Sequence, residues 1–155
     1  MTALTYRRAA HALMLIALAA SLCGTAIAAD PDESVRARQT VLKNMGKEMK
    51  VIGAIGKSDI ESQRKDLVAS ANAMRAMAAE PWAYFGQETA ITRLNTEAKP
   101  EIWSDPAGFR TAQEGFINAA NALAIGAATD KPDDVRAKIK ALGDSCGACH
   151  RQFKN

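Results

Sequence analysis

Val135-Arg136-Ala137-Lys138-Ile139-Lys140-Ala141-Leu142-Gly143-Asp144-Ser145-Cys146-Gly147-Ala148-Cys149-His150-Arg151-Gln152-Phe153, close to the end of the 155-residue chain, carries two patterns at once. Val135, Ile139, Leu142, Cys146, Cys149 and Phe153 recur at spacings of four, three, four, three and four, the seam of a helix that buries one face against its neighbours. Within that seam lies Cys146-Gly147-Ala148-Cys149-His150. Two thiols three residues apart can add across the two vinyl groups of one haem, and the histidine beside the second thiol then sits under the iron. His150 follows Cys146 by four residues and Cys149 by one, near the same edge of the helix. Both cysteines hold core positions, so the register predicts one covalently attached haem c inside a helical bundle, near its C-terminal helix. Cys146 and Cys149 are the expected thioether anchors and His150 the axial iron ligand.

Attachment of this kind takes place outside the cytoplasm, and the other end of the chain has the layout of an export signal. Residues 1–28 contain Arg7 and Arg8 without an acid, an apolar run over residues 9–22, and Ala26-Ile27-Ala28 as a small-residue cleavage site. About fourteen apolar residues are too few for the roughly 20 of a spanning helix. The expected organisation is a signal peptide over 1–28, cleaved near Ala28, and one haem-binding domain over 29–155 in the periplasm, with no stable membrane anchor. Leu22 before Cys23 is a poor lipobox, so Cys23 is expected to leave with the signal. Removal of 28 of 155 residues leaves 127, enough for one core. It also leaves 18 basic against 17 acidic residues, a net charge of +1 that suggests no nucleic-acid partner. Of the two histidines, His11 lies in the signal, so His150 is the sole imidazole of the mature chain. Ligation by two histidines within one chain is thereby excluded, and the sixth site is a methionine, another weak ligand, or empty.

The mature sequence reads as all-α, an antiparallel four-helix bundle with one long crossover between helices 2 and 3. Asp30-Pro31-Asp32-Glu33 opens the first helix with an N-cap, a proline at the first helical position and acids in the first turn. Val35, Leu42, Met45, Met49 and Ile52 form its stripe, and Gly53 with Gly56 mark its end. Ser58-Asp59-Ile60-Glu61 has the form of a capping box for the second helix, with Ile60, Leu67, Ala71, Met74 and Met77 or Ala78 inward before Pro81. Ser104-Asp105-Pro106 opens the third, with Phe109, Ala112, Phe116, Ala119 and Leu123 on one face; Pro132 opens the fourth. Residues 80–105 exceed the 2 to 8 residues usual for a bundle loop. Trp82, Tyr84, Phe85 and Trp103 gather there, either to cap one end of the core or to pack against the haem edge, and the polar stretch 87–99 is expected to be partly helical.

Other chemistries of C-x-x-C fit less well. A thioredoxin-like thiol pair follows a strand and opens a helix, where the helix dipole lowers the first thiol's pKa; this pair closes a C-terminal helix. A zinc site wants four ligands, and three candidates survive cleavage. A thiol redox protein stands as the remote alternative.

Across nearly the whole mature chain the sequence resembles the class II c-type cytochromes, the cytochrome c′ family. Arg38-Gln39 with Leu42, Pro81-Trp82-Ala83-Tyr84-Phe85-Gly86, Pro100-Glu101-Ile102-Trp103-Ser104-Asp105, and the C-terminal haem motif with Phe153 and Lys154 carry the resemblance. It implies that Arg38 and Gln39 border the haem, Arg38 in reach of a propionate, and that Glu97, three residues before Pro100, touches it. Trp82, Phe85 and Phe153 are expected as further pocket residues. Lys154 stands on the proximal side where the family usually has arginine, and a lysine offers a point charge in place of a planar fork.

The resemblance also makes Leu42, four residues after Arg38, the side chain facing the distal side of the iron. Leucine cannot ligate, which implies a five-coordinate, high-spin iron that binds small diatomic gases (NO, CO), transfers electrons to an unidentified redox partner, or both. The rival reading places Met45, one turn along the stripe, on the iron as the sixth ligand of a low-spin electron carrier. A turnover enzyme would need distal acid-base groups that the sequence does not supply. The resemblance further implies a homodimer through helices 1 and 2, for which Val51, Ile55 or Val68 would serve.

Overall fold

The computed structural model describes residues 30–155, and the expected signal segment, with His11, Cys23 and the expected cleavage site at Ala28, lies outside them. Five helices follow in order: α1 Pro31–Gly56, α2 Arg64–Met77, the single turn α3 Glu101–Ser104, α4 Pro106–Gly126 and α5 Pro132–Phe153. The four long ones form the bundle, with α1 against α2 and α5, and α4 against α2 and α5. Among the described residues there is no strand, only an isolated antiparallel bridge between Ala98 and Lys154.

Helix starts follow local chemistry. Asp30 Oδ1 accepts from the Asp32 amide at 3.0 Å with Pro31 at the first helical position, and Asp105 Oδ1 accepts from Gly108 N at 2.9 Å ahead of α4. Each satisfies an amide that the helix itself leaves without an acceptor. The expected capping box before α2 does not form. Ser58 Oγ donates backward to Ile55 O and accepts from Gln63 Nε2, while Glu61 pairs with Arg64 at 2.6 Å, so α2 begins only at Arg64 after a run of turns.

The glycines ending α1 act differently from expectation. No described glycine has a positive φ, so Gly56 is no left-handed cap. A Cβ there would lie 3.1 Å from Ile139 Cδ1 and 3.3 Å from Cγ2. Gly56 therefore sets how closely α1 and α5 approach. Further along the same contact, Met49 Cε passes 3.7 Å from where a Cβ of Gly143 would stand. Further toward the start of α1, Leu42, Met45 and Gly46 line a cavity with Cys146 and His150 of α5.

The main core contains Met45, Ile52, Ile60, Leu67, Ala71, Met74, Ala120, Leu123, Val135, Ile139 and Leu142. Ile55 belongs here too, 3 % exposed. It is therefore unavailable for the dimer contact assigned to it, because it points between α1 and its neighbours. Val51 is exposed and Val68 half-buried against the core. Leu42 also departs from the buried stripe: Val41 takes the core position and Leu42 lines the cavity.

The crossover is built from two short 3-10 turns, Glu80–Tyr84 and Gln87–Ala90, then extended chain and α3. The core-capping role foreseen for its aromatics is filled by Trp82, Phe85 and Trp103. Ile102, Phe109 and Phe153 form a second small core, joined by Trp82, Phe85, Trp103 and Cys149. Phe109 packs edge-on against Phe85 and Phe153, each at 5.1 Å between ring centres, the favoured geometry for aromatic pairs.

Candidate functional site

A cavity of about 760 Å³ opens between α1, α5, α4 and the crossover. It falls in the size range typical of cofactor sites. The residues expected as iron ligand, haem anchors and pocket wall line it: Arg38, Gln39, Leu42 and the rival Met45 from α1, Trp82, Phe85 and Glu97 from the crossover, Cys146, Cys149, His150 and Phe153 from α5, with Lys154 just after it. Their convergence follows from helix periodicity. Positions 38, 42, 45 and 49 recur on one face of α1, and 146, 149, 150 and 153 on one face of α5.

Arg38 is the least expected feature of this wall. It is 1 % exposed. Nη1 donates to Tyr84 O at 3.1 Å and Thr89 Oγ1 at 2.9 Å, Nη2 reaches Thr96 Oγ1 at 3.5 Å, and the guanidinium lies 4.4 Å from the centre of the Phe85 ring. Every one of these acceptors is neutral, and no described carboxylate lies within ion-pair distance. Burial pushes the guanidinium pKa down, the direction expected when a charge is removed from water without a counter-charge. Gln39 adds a bond from Nε2 to Asn95 O at 3.0 Å. Together they fasten the crossover to α1.

On the opposite wall, Cys146 and Cys149 are half-buried, and burial raises both thiol pKa values. A redox thiol pair needs the reverse, a stabilised thiolate. His150 is held below its ordinary pKa, first by burial and next by the charge of Lys154, with Glu97 acting in the other direction. In its neutral form an imidazole offers a lone pair to a metal. Lys154 Nζ pairs with Glu97 Oε2 at 3.0 Å. Beside that pair, Lys99 N donates to Phe153 O at 3.0 Å and Asn155 N to Glu97 O at 2.8 Å. The end of the chain is thus stitched to the crossover.

Sequence reasoning missed Thr89 and Thr96, which hold Arg38, and Met74, Ile102, Phe109 and Phe116, which line the cavity. Phe109 and Phe116 carried a signal, seven residues apart on one face of α4, but it read as core. Tyr84 and Trp103 do not line the cavity. Tyr84 offers its carbonyl to Arg38, and Trp103 Nε1 donates to Phe85 O and Gly86 O at 3.2 and 3.1 Å.

Two thiols and an imidazole on one wall, a buried cation without an anion on another, and an apolar interior of this size fit an amphipathic macrocycle with acidic side chains. A four-helix bundle with this wall is a haem protein of the covalently anchored kind. The sequence profile of the Cytochrome C' family matches residues 33–154. Cytochrome c' of Rhodospirillum rubrum is 36 % identical over 146 residues, covering 92 % of this chain and 97 % of that protein. The crystal structure of cytochrome c' from Thermochromatium tepidum superposes with a TM-score of 0.74 at 28 % identity, over 81 % of this chain and 96 % of that one. A ferrous variant of cytochrome c prime from Alcaligenes xylosoxidans with bound NO superposes with a TM-score of 0.69 at 30 % identity, over 82 % and 98 %. This chain belongs to the cytochrome c′ family and binds covalently attached haem c.

Proposed function

We propose that this chain is a periplasmic gas-binding and electron-exchanging cytochrome whose haem iron is five-coordinate. Cys146 and Cys149 hold the macrocycle as thioethers and His150 supplies the one protein ligand to the metal. Haem supplies an iron that cycles between ferrous and ferric states and takes up a sixth ligand. The remaining chemistry belongs to the chain. Arg38 brings a desolvated positive charge to meet a propionate, where a charge-assisted bond is strongest. Trp82, Phe85, Phe109 and Phe153 exclude water from the pocket edge.

The observation that carries this reading is Leu42. It stands one turn beyond Arg38 on the cavity face of α1, and its aliphatic side chain can neither ligate nor donate a hydrogen bond. His150 is the only histidine of residues 30–155, so no second imidazole can stabilise bound dioxygen or move protons for turnover. Uncharged NO and CO, which need less polar help, are the ligands such a pocket favours. The NO-bound relative supports this assignment. Met45 lines the same cavity but is 6 % exposed and packed in the main core, the usual place of a methionine filler.

Absorption and EPR spectra of the purified holoprotein test the proposal. High-spin signals in both oxidation states are expected, with Leu42→Met converting them to low spin. A low-spin spectrum of the unaltered protein would overturn the five-coordinate reading in favour of Met45. Mass spectrometry of the exported chain, expected to lack residues 1–28 and carry one haem, checks the location.

A further inference from the structure

The outer face of α1 carries a row of charge that the haem chemistry does not use. Arg36, Lys43, Lys47, Lys50 and Lys57 follow at spacings of seven, four, three and seven residues. At 100° per residue they share about 80° of arc, and at 1.5 Å per residue the row runs about 30 Å. All five are exposed. Among the described residues none of them is within ion-pair distance of a carboxylate; Lys47 Nζ meets only the neutral Asn44 Oδ1, at 3.0 Å. Of the acids of α1, Asp32 and Glu33 lie within about a turn of Arg36 at the start of the row and Glu48 lies beside it, none in an ion pair with the five cations. Asp32 is engaged with Thr92 and Arg93.

The row is not a by-product of a basic protein. Residues 29–155 carry a net +1, so subtracting the +5 of the row leaves −4 on everything else. Lys43 and Lys50 also line the cavity, so the cations edge the opening through which the site meets solvent. A concentrated field of one sign at a site opening raises encounter rates with partners of opposite sign.

We infer that the Arg36, Lys43, Lys47, Lys50 and Lys57 face of α1 is the docking surface for an acidic redox protein, which it seats against the opening of the haem cavity. The inference rests on the electron-exchanging reading above. A protein is favoured over an anionic lipid surface because Gln39, Thr40 and Ala54 stand between the cations, with Val51 and the cavity-lining Leu42 the two exposed large apolar residues of α1 near them, whereas membrane-surface helices interleave cations with several large apolar groups.

The test is stopped-flow oxidation of the ferrous holoprotein, in which iron(II) gives one electron either to anionic hexacyanoferrate(III) or to cationic tris-phenanthroline cobalt(III). The anionic reagent is expected to react faster as salt is lowered, and the cationic one slower. In the triple variant Lys43→Glu, Lys47→Glu, Lys50→Glu the anionic rate at low salt should fall at least about tenfold and the salt dependence invert. The same charge change at Lys65, Arg110 and Lys131, away from the row, should leave the inversion absent. Polyglutamate should slow the reaction of the unaltered protein with hexacyanoferrate(III) and not that of the triple variant. Equal salt dependence for both reagents, or equal effects of the two charge reversals, would overturn the docking surface. Failure of either reagent to oxidise the haem would instead overturn the electron-exchanging reading. Sedimentation with phosphatidylglycerol vesicles at physiological salt, abolished in the triple variant, would overturn the protein partner and assign the face to lipid.

Discussion

Replacing Gly56 by alanine should destabilise the protein, although the same change elsewhere in its helices should stabilise it. Gly115, exposed within α4, has nothing within 4 Å of where a Cβ would stand. Alanine there recovers helix propensity alone, about 0.5–1 kcal/mol. At Gly56 the added methyl would stand 3.1 and 3.3 Å from two carbons of Ile139, inside the 3.5–4.0 Å optimum for carbon contacts. Ile139 is 8 % exposed, so α1 and α5 must part by a few tenths of an ångström. Overpacking of this kind costs about 1–3 kcal/mol, while the propensity gain at the last residue of a helix is small. The net expectation is a loss of about 1 kcal/mol for Gly56→Ala and roughly 2–3 kcal/mol for Gly56→Val. Thermal unfolding of the holoprotein followed by circular dichroism should place Gly115→Ala above the parent and Gly56→Ala below it, by roughly 4 °C each. A Gly56→Ala protein that melts as high as Gly115→Ala would refute the close-approach argument.

Arg38 and Asp32 give two further expectations. The Arg38 cation favours the reduced, less positive form of a nearby iron, so Arg38→Met should lower the reduction potential in a spectroelectrochemical titration; an unchanged or raised potential would show that the guanidinium serves only the crossover. Asp32 is held below its ordinary pKa chiefly by the Thr92 hydroxyl, 2.7 Å from Oδ1, and also by the Arg93 amide and charge. A depressed carboxyl contributes stability above its unfolded pKa and loses it as pH falls through the folded one. Asp32→Asn should therefore flatten the acid limb of a stability-against-pH curve below about pH 4, and an acid limb identical to that of the parent would remove Asp32 from the account.

Much of the fold was legible because its signals are local. Asp30-Pro31 and Asp105-Pro106 name their own helix starts, and the seam from Val135 to Phe153 places both cysteines on the cavity side of α5 without knowledge of any other helix. Recognition of the family supplied what periodicity could not, the facing of Arg38, Gln39, Leu42 and Glu97 toward that same space. The illegible parts depend on contacts between distant segments. Ser58-Asp59-Ile60-Glu61 satisfies every local rule for a capping box, yet Ser58 is drawn back to Ile55 and Glu61 to Arg64. Gly56 carries the signature of a helix stop, and only Ile139, 83 positions later, reveals that it marks a contact. Thr89 and Thr96 look like ordinary loop residues until Arg38 is found between them.

The seam joining residues 97–99 to residues 153–155 bears on how the pocket closes. The amide that bonds to Glu97 O belongs to Asn155, the final residue, and Phe153 O receives the Lys99 amide. These bonds join segments far apart in sequence, so this wall of the pocket closes only when the crossover and the residues after α5 are both in place. Anything fused directly behind Asn155, an affinity tag included, would press on that closure, so tags belong elsewhere.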